Sequence, residues 1–276
     1  MSKMTCSKTF SALVLGFILT VGLLAGQAGA GTIILEGSDA IGYHTTGSFP
    51  NPGAVTYRDQ AFSALGGSDP RPIAVIGAGT FGGVTSGSHS IVTFADMTTM
   101  GPLSGYSALY FLAAGGCCTE DTKQVGHEAD ITAYLGAGGT VMISNYTGSA
   151  AWDFAVGTGG FGNLHVNGIG GGGPLGSGSV CDDGETVTAE GLTNGFTQPP
   201  AMGCWEHQGY EMAFFAALGF THSFYDAAPG MGGVGWSGLL SNGRTITGDE
   251  NVPEPASLVL LGLGLAGFGF GRRKKA

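Results

Sequence analysis

Residues 107–144 constrain the fold more tightly than any other part of the chain. Positions 107–113 are a continuous apolar run, the pattern of a strand covered on both faces. Residues 121–135 follow with Val125, Ile131, Tyr134 and Leu135 apolar, which predicts a helix. Gly138 and Gly139 then turn the chain, and residues 140–144 form a second apolar run. Strand, helix and strand at this length predict a right-handed crossover between parallel strands, and so an α/β fold.

The flanking residues extend that pattern. Residues 32–36 read as a short strand ending in Gly37, Ser38 and Asp39, and residues 57–65 carry Tyr57, Ala61, Phe62 and Leu65 at helical spacing. Residues 72–76 and 90–94 read as two more strands. Farther on, Tyr210, Ala213, Phe214 and Ala217 predict a helix over 207–218, and residues 220–225 a last strand. Glycine fills 54 of 276 positions, against a usual ~7%, and crowds residues 157–179 so heavily that a long loop is expected there. These runs leading into Gly115-Gly116, then a helix, then Gly138-Gly139 before Val141, Met142 and Ile143, resemble the flavodoxin-like layout of glutamine-amidotransferase-like domains over residues 32–146. The resemblance implies a single flavodoxin-like domain with a mostly parallel sheet. It does not extend to activity: the G-x-C-x-G nucleophile turn is absent, and Cys117 and Cys118 follow the wrong strand for that role.

Both ends of the chain are set apart from this domain. Lys3 and Lys8 precede an apolar segment over 10–24, and Ala28-Gly29-Ala30 offers small residues for signal peptidase. Residues 1–30 are therefore expected to be a signal helix removed on export, leaving 31–250 as the exported domain. At the other end Pro253, Glu254 and Pro255 precede an uncharged run over 256–270 and the basic residues Arg272, Arg273, Lys274 and Lys275. The two prolines keep Glu254 on extended, accessible backbone. The apolar run is short for a spanning helix, which needs roughly 17–25 residues, and the basic cluster favours the cytoplasmic face. This order of elements over 252–276 resembles the PEP-CTERM sorting signal of Gram-negative bacteria. The resemblance implies a transmembrane helix that holds the protein transiently in the inner membrane, and an exosortase that cuts near the tripeptide.

Charge narrows the partners. Between residues 31 and 252 only Arg58, Arg71, Lys123 and Arg244 oppose nineteen acidic residues, a net charge of −15. That balance opposes nucleic acid and anionic lipid, and favours solubility or divalent cations; extracellular polysaccharide is a separate candidate partner for a surface protein. Four cysteines, Cys117, Cys118, Cys181 and Cys204, remain in the exported part, an even number suited to disulfides. Pairing Cys181 with Cys204 would close a loop of roughly 24 residues, worth about 3 kcal/mol in the chain-entropy account. Three connectivities are open. The absence of C-x-x-C spacing disfavours zinc.

Ligands of parallel sheets gather at the carboxyl ends of the strands. Ser38, Asp39 and His44 after the first strand, with Asn145 after the fifth, are therefore the expected ligand rim, towards which Cys117 and Cys118 would also point. Residues 77–82 match G-x-G-x-x-G after a strand, with Asp96 at the distance of a ribose-binding carboxylate. Poor helix formers follow, so a glycine-rich turn is favoured over a dinucleotide site, and no cofactor is expected. His127-Glu128 lacks the second histidine of a zinc motif, His207 beside Glu206 reads as a helix start, and residues 182–185 lack an alternating calcium-ligand set. No metal is expected. The sequence thus points to an exported surface or matrix protein without identifiable catalytic residues. A degenerate amidotransferase-like hydrolase of surface polymers and a carbohydrate- or calcium-binding module are the alternatives.

Overall fold

A computed structural model of the chain describes residues 31–45, 51–77, 86–112, 122–144, 150–157, 186–198, 210, 212–226 and 239–242. All fall within one compact unit, Ala30–Asp249. The elements in chain order are β1 (Thr32–Glu36), α1 (Ala40–Tyr43), α2 (Pro52–Gly66), β2 (Ile73–Ile76), β3 (Ile91–Phe94) and β4 (Ala108–Phe111). Then come α3 (Glu128–Gly136), β5 (Thr140–Ser144), α4 (Asp153–Val156), β6 (Thr186–Val187), α5 (Ala189–Thr193), α6 (Met212–Ala217), β7 (His222–Asp226) and β8 (Leu239–Ser241).

The strands form one sheet in the order β3-β2-β4-β5-β1-β8-β7-β6. Its first five strands are parallel, with β4 and β5 joined by the expected crossover and aligned from Ala108 opposite Thr140 to Phe111 opposite Ile143. The last three run antiparallel to their neighbours. A five-stranded parallel region with helices, extended by three antiparallel strands, is thus present among the described residues, and the fold is α/β. The strand order departs from the flavodoxin-like 2-1-3-4-5: the strand at the far end of the parallel row is β1, the first in the chain, and three antiparallel strands extend the sheet beyond it.

Alternation along each strand divides the side chains between two cores, which explains why the strand sequences are apolar throughout. Ile34, Val75, Tyr110 and Met142 point to one face, where α2 covers them with Tyr57, Ala61, Phe62 and Leu65. Leu35, Ile76, Phe111 and Ile143 point to the other, against Ile131 and Tyr134 of α3, Trp152, and Phe215 of α6. Strand β3 at one edge is only half-covered, and β6 at the other is two residues long; short or partly polar edges limit pairing with other chains.

Helix boundaries follow local chemistry. Helix α2 begins five residues before the expected 57, because the Asn51 side chain accepts a hydrogen bond from Gly53 N at 2.7 Å and Pro52 occupies the first turn. Helix α3 begins at Glu128 instead of 121, because Gly126 takes a left-handed φ of +87° and interrupts the helix that the periodicity predicts. Strands β6 and β8 are too short to show in the sequence. Among the described residues no helix is long and apolar enough to cross a membrane. The expected signal helix over 1–30, the transmembrane helix over 252–276, the glycine-rich loop over 158–179 and all four cysteines lie outside the described residues.

Candidate functional site

Among the described residues, the carboxyl end of β1 carries a group of buried polar side chains that includes Glu36 and Ser38. Thr32, Ile34 and Glu36 share one face by alternation, so the last residue of an otherwise apolar strand turns a carboxyl into the α2-side core. Glu36 is fully buried. Tyr110 Oη, on β4 two strands away, donates to Glu36 Oε2 at 2.8 Å, and Ser38 Oγ donates to Glu36 Oε1 at 2.8 Å. The Tyr57 hydroxyl, carried on α2, faces the same carboxyl. Burial pushes Glu36 up to about 7; the hydroxyls of Tyr110, Ser38 and Tyr57 pull it partly back, and the charge of Asp39 adds to the rise. Burial, with the neighbouring Glu36 charge, also raises Tyr57 well above the ordinary tyrosine range.

The turn after β1 is tied down from several sides. Ser144 Oγ at the end of β5 donates to Ser38 O at 2.9 Å, and Ala40 N reaches Ser38 Oγ at 3.4 Å as α1 begins. His44 Nε2 lies 3.3 Å from Asp39 Oδ1, and the His44 ring packs edge-on against Tyr43 with centroids 5.3 Å apart. Thr45 Oγ1 donates to Ile41 O, and Asn51 N donates to His44 O at 2.7 Å. Asp39 and His44 are thus paired, next to Ser38, in the segment that follows β1. Asn145, directly after Ser144, lies outside the described residues. Glu36, Tyr57, Tyr110 and Ser144 belong to no motif and are not marked as site residues by the sequence. A lone acidic residue on the inward phase of an apolar strand was the available signal for Glu36.

The remaining motifs take structural roles where they are described. Gly77, at the end of β2, donates its N–H to Phe94 O at 2.7 Å and holds a φ of +94° that disfavours other residues. A Cβ there would also sit 2.4 Å from Lys123 Cε, whose Nζ donates to Leu112 O at 2.9 Å. Residues 78–85, the rest of the glycine motif, lie outside the described residues. Asp96 is exposed and accepts from Thr98 N at 2.8 Å, closing its own turn. His127 precedes α3 and lies 3.6 Å from Asp130. Glu206, His207 and residues 182–185 lie outside the described residues. Among the described residues no group of three or more histidine, cysteine or acidic side chains is placed to hold a metal ion.

Comparison with known proteins bears on the other end of the chain. Residues 251–275 match the PEP-CTERM protein-sorting motif. The chain carries a PEP-CTERM sorting signal. The match spans Pro253, Glu254 and Pro255, the apolar run, and the basic residues Arg272 to Lys275. A PEP-CTERM signal implies processing by an exosortase and export to the bacterial cell envelope or surface. No curated protein and no solved structure matches the chain.

Proposed function

We propose that the chain is a precursor whose 31–250 domain is delivered to the cell surface or extracellular matrix of a Gram-negative bacterium, where it serves as a non-enzymatic component. Residues 1–30 act as the export signal and are removed by signal peptidase. Residues 252–276 hold the protein in the inner membrane until an exosortase cuts near Pro253-Glu254-Pro255. The PEP-CTERM match over 251–275 carries this reading. The net charge of −15 between residues 31 and 252 supports it, since an acidic domain stays soluble outside the cell and avoids anionic lipid.

Replacing Pro253, Glu254 and Pro255 together by alanine in a host that has an exosortase tests the reading. The native chain is expected outside the inner membrane and the variant within it. Equal release of both chains would contradict an exosortase cut at the tripeptide.

A further inference from the structure

The Glu36 cluster has a consequence for the domain that is independent of its sorting. Four side chains from separate parts of the fold meet there: Glu36 from β1, Ser38 from the following turn, Tyr57 from α2 and Tyr110 from β4. All four residues are fully buried. The described titratable groups that face the carboxyl are Asp39, Tyr57 and Tyr110, with Tyr225 of β7 behind Tyr57; none is a cation. His44 is directed at Asp39, and Arg58, next to Tyr57, places Nη2 2.8 Å from Asp59 Oδ1. A buried carboxylate without a cation is costly to charge, and a like charge at Asp39 raises that cost.

We infer that Glu36 and its ring of hydroxyls form a proton-operated clamp on the turn between β1 and α1. With its proton, the carboxyl is neutral where Tyr110 of β4 and Ser38 of the turn meet it, with Tyr57 of α2 facing it. Without it, the hydroxyls still donate to the carboxylate, but an anion buried beside Asp39 with no facing cation among the described groups costs more than those bonds return, and the stability of the domain falls.

Burial lifts Glu36 from 4.5 to about 7, so the folded protein holds this proton more tightly than the unfolded chain does. The stability it contributes is complete below about 4.5 and is lost as pH rises through about 7. The loss corresponds to a change on the order of a few hundredfold in the unfolding equilibrium. Asp69, Asp96 and Glu128 act in a different window. Hydrogen bonds from Arg71, from Thr98 and from backbone N–H groups hold them below their ordinary values, so their contribution is lost only under more acidic conditions.

The test is unfolding of the full chain in detergent micelles from pH 4.5 to 8, followed by near-ultraviolet circular dichroism, for the native sequence and Glu36→Gln. The native chain is expected to lose stability across this range and the variant to stay level. Equal slopes in the two would overturn the clamp. Two further readouts hold if Glu36→Gln fails to fold. Tyr110→Phe removes a hydrogen bond that favours the charged form, so the loss should move to higher pH. The Glu36 carboxyl carbon resonance in the native chain should titrate near 7. Titration at or below 4.5, or a Tyr110→Phe profile that does not move, would overturn the clamp.

Discussion

The last 25 residues and the domain before them are informative in opposite ways. In the tail, Pro253-Glu254-Pro255, an apolar run and four basic side chains identify a sorting signal outright. In the domain, the described residues form an eight-stranded sheet with two cores and a buried polar cluster, and the sequence motifs considered above name no ligand. The difference lies in how each segment is recognised. A processing enzyme reads a contiguous stretch of backbone and side chains, so its information is local in sequence. A folded site is assembled from residues as far apart as Glu36 and Tyr110, 74 positions along the chain. The two parts should accordingly fail separately.

The largest expected effect comes from moving the tail. Residues 251–276 fused to an unrelated exported domain should transfer exosortase-dependent release to that domain, as measured by fractionation with and without the exosortase. Failure to transfer would mean that the signal depends on its own domain. Within the domain, Trp152→Ala should cost about 3–5 kcal/mol in chemical denaturation. Trp152 is fully buried and packs edge-on against Phe111 with centroids 4.8 Å apart. The cleavage site of whatever variant protein reaches the surface should stay the same. Gly77→Ala should cost roughly 1–3 kcal/mol, since a left-handed φ and the Lys123 stem both oppose a Cβ there. Asn51→Ala, which removes the cap of α2, should cost about 1 kcal/mol.

Much of the fold was legible because doubly covered strands announce themselves. Residues 32–36 and 140–144 are strands at the expected positions, and the other three parallel strands are shifted by no more than two residues at either end. The helix starts were less legible, since Asn51-Pro52 and Gly126 act through backbone geometry that hydrophobic periodicity does not register. The antiparallel extension escaped because β6 and β8, two and three residues long, derive their identity from their neighbours. The same holds for the candidate site. Ser38, Asp39 and His44 lie close together in the chain and follow a strand, so the strand-end rule singles them out from sequence alone. Tyr57 and Tyr110 lie among the apolar side chains of the α2-side core, and only the folding of α2 over the sheet and the placement of β4 two strands from β1 bring their hydroxyls towards Glu36.

The most direct test of the account is the intact mass of the protein recovered from the surface or medium of an exosortase-bearing host. The predicted species begins at Gly31 and lacks the apolar run over 256–270 and the basic residues that follow. Recovery of the full 276-residue chain, with both ends intact, among the soluble proteins of the cytoplasm would contradict it.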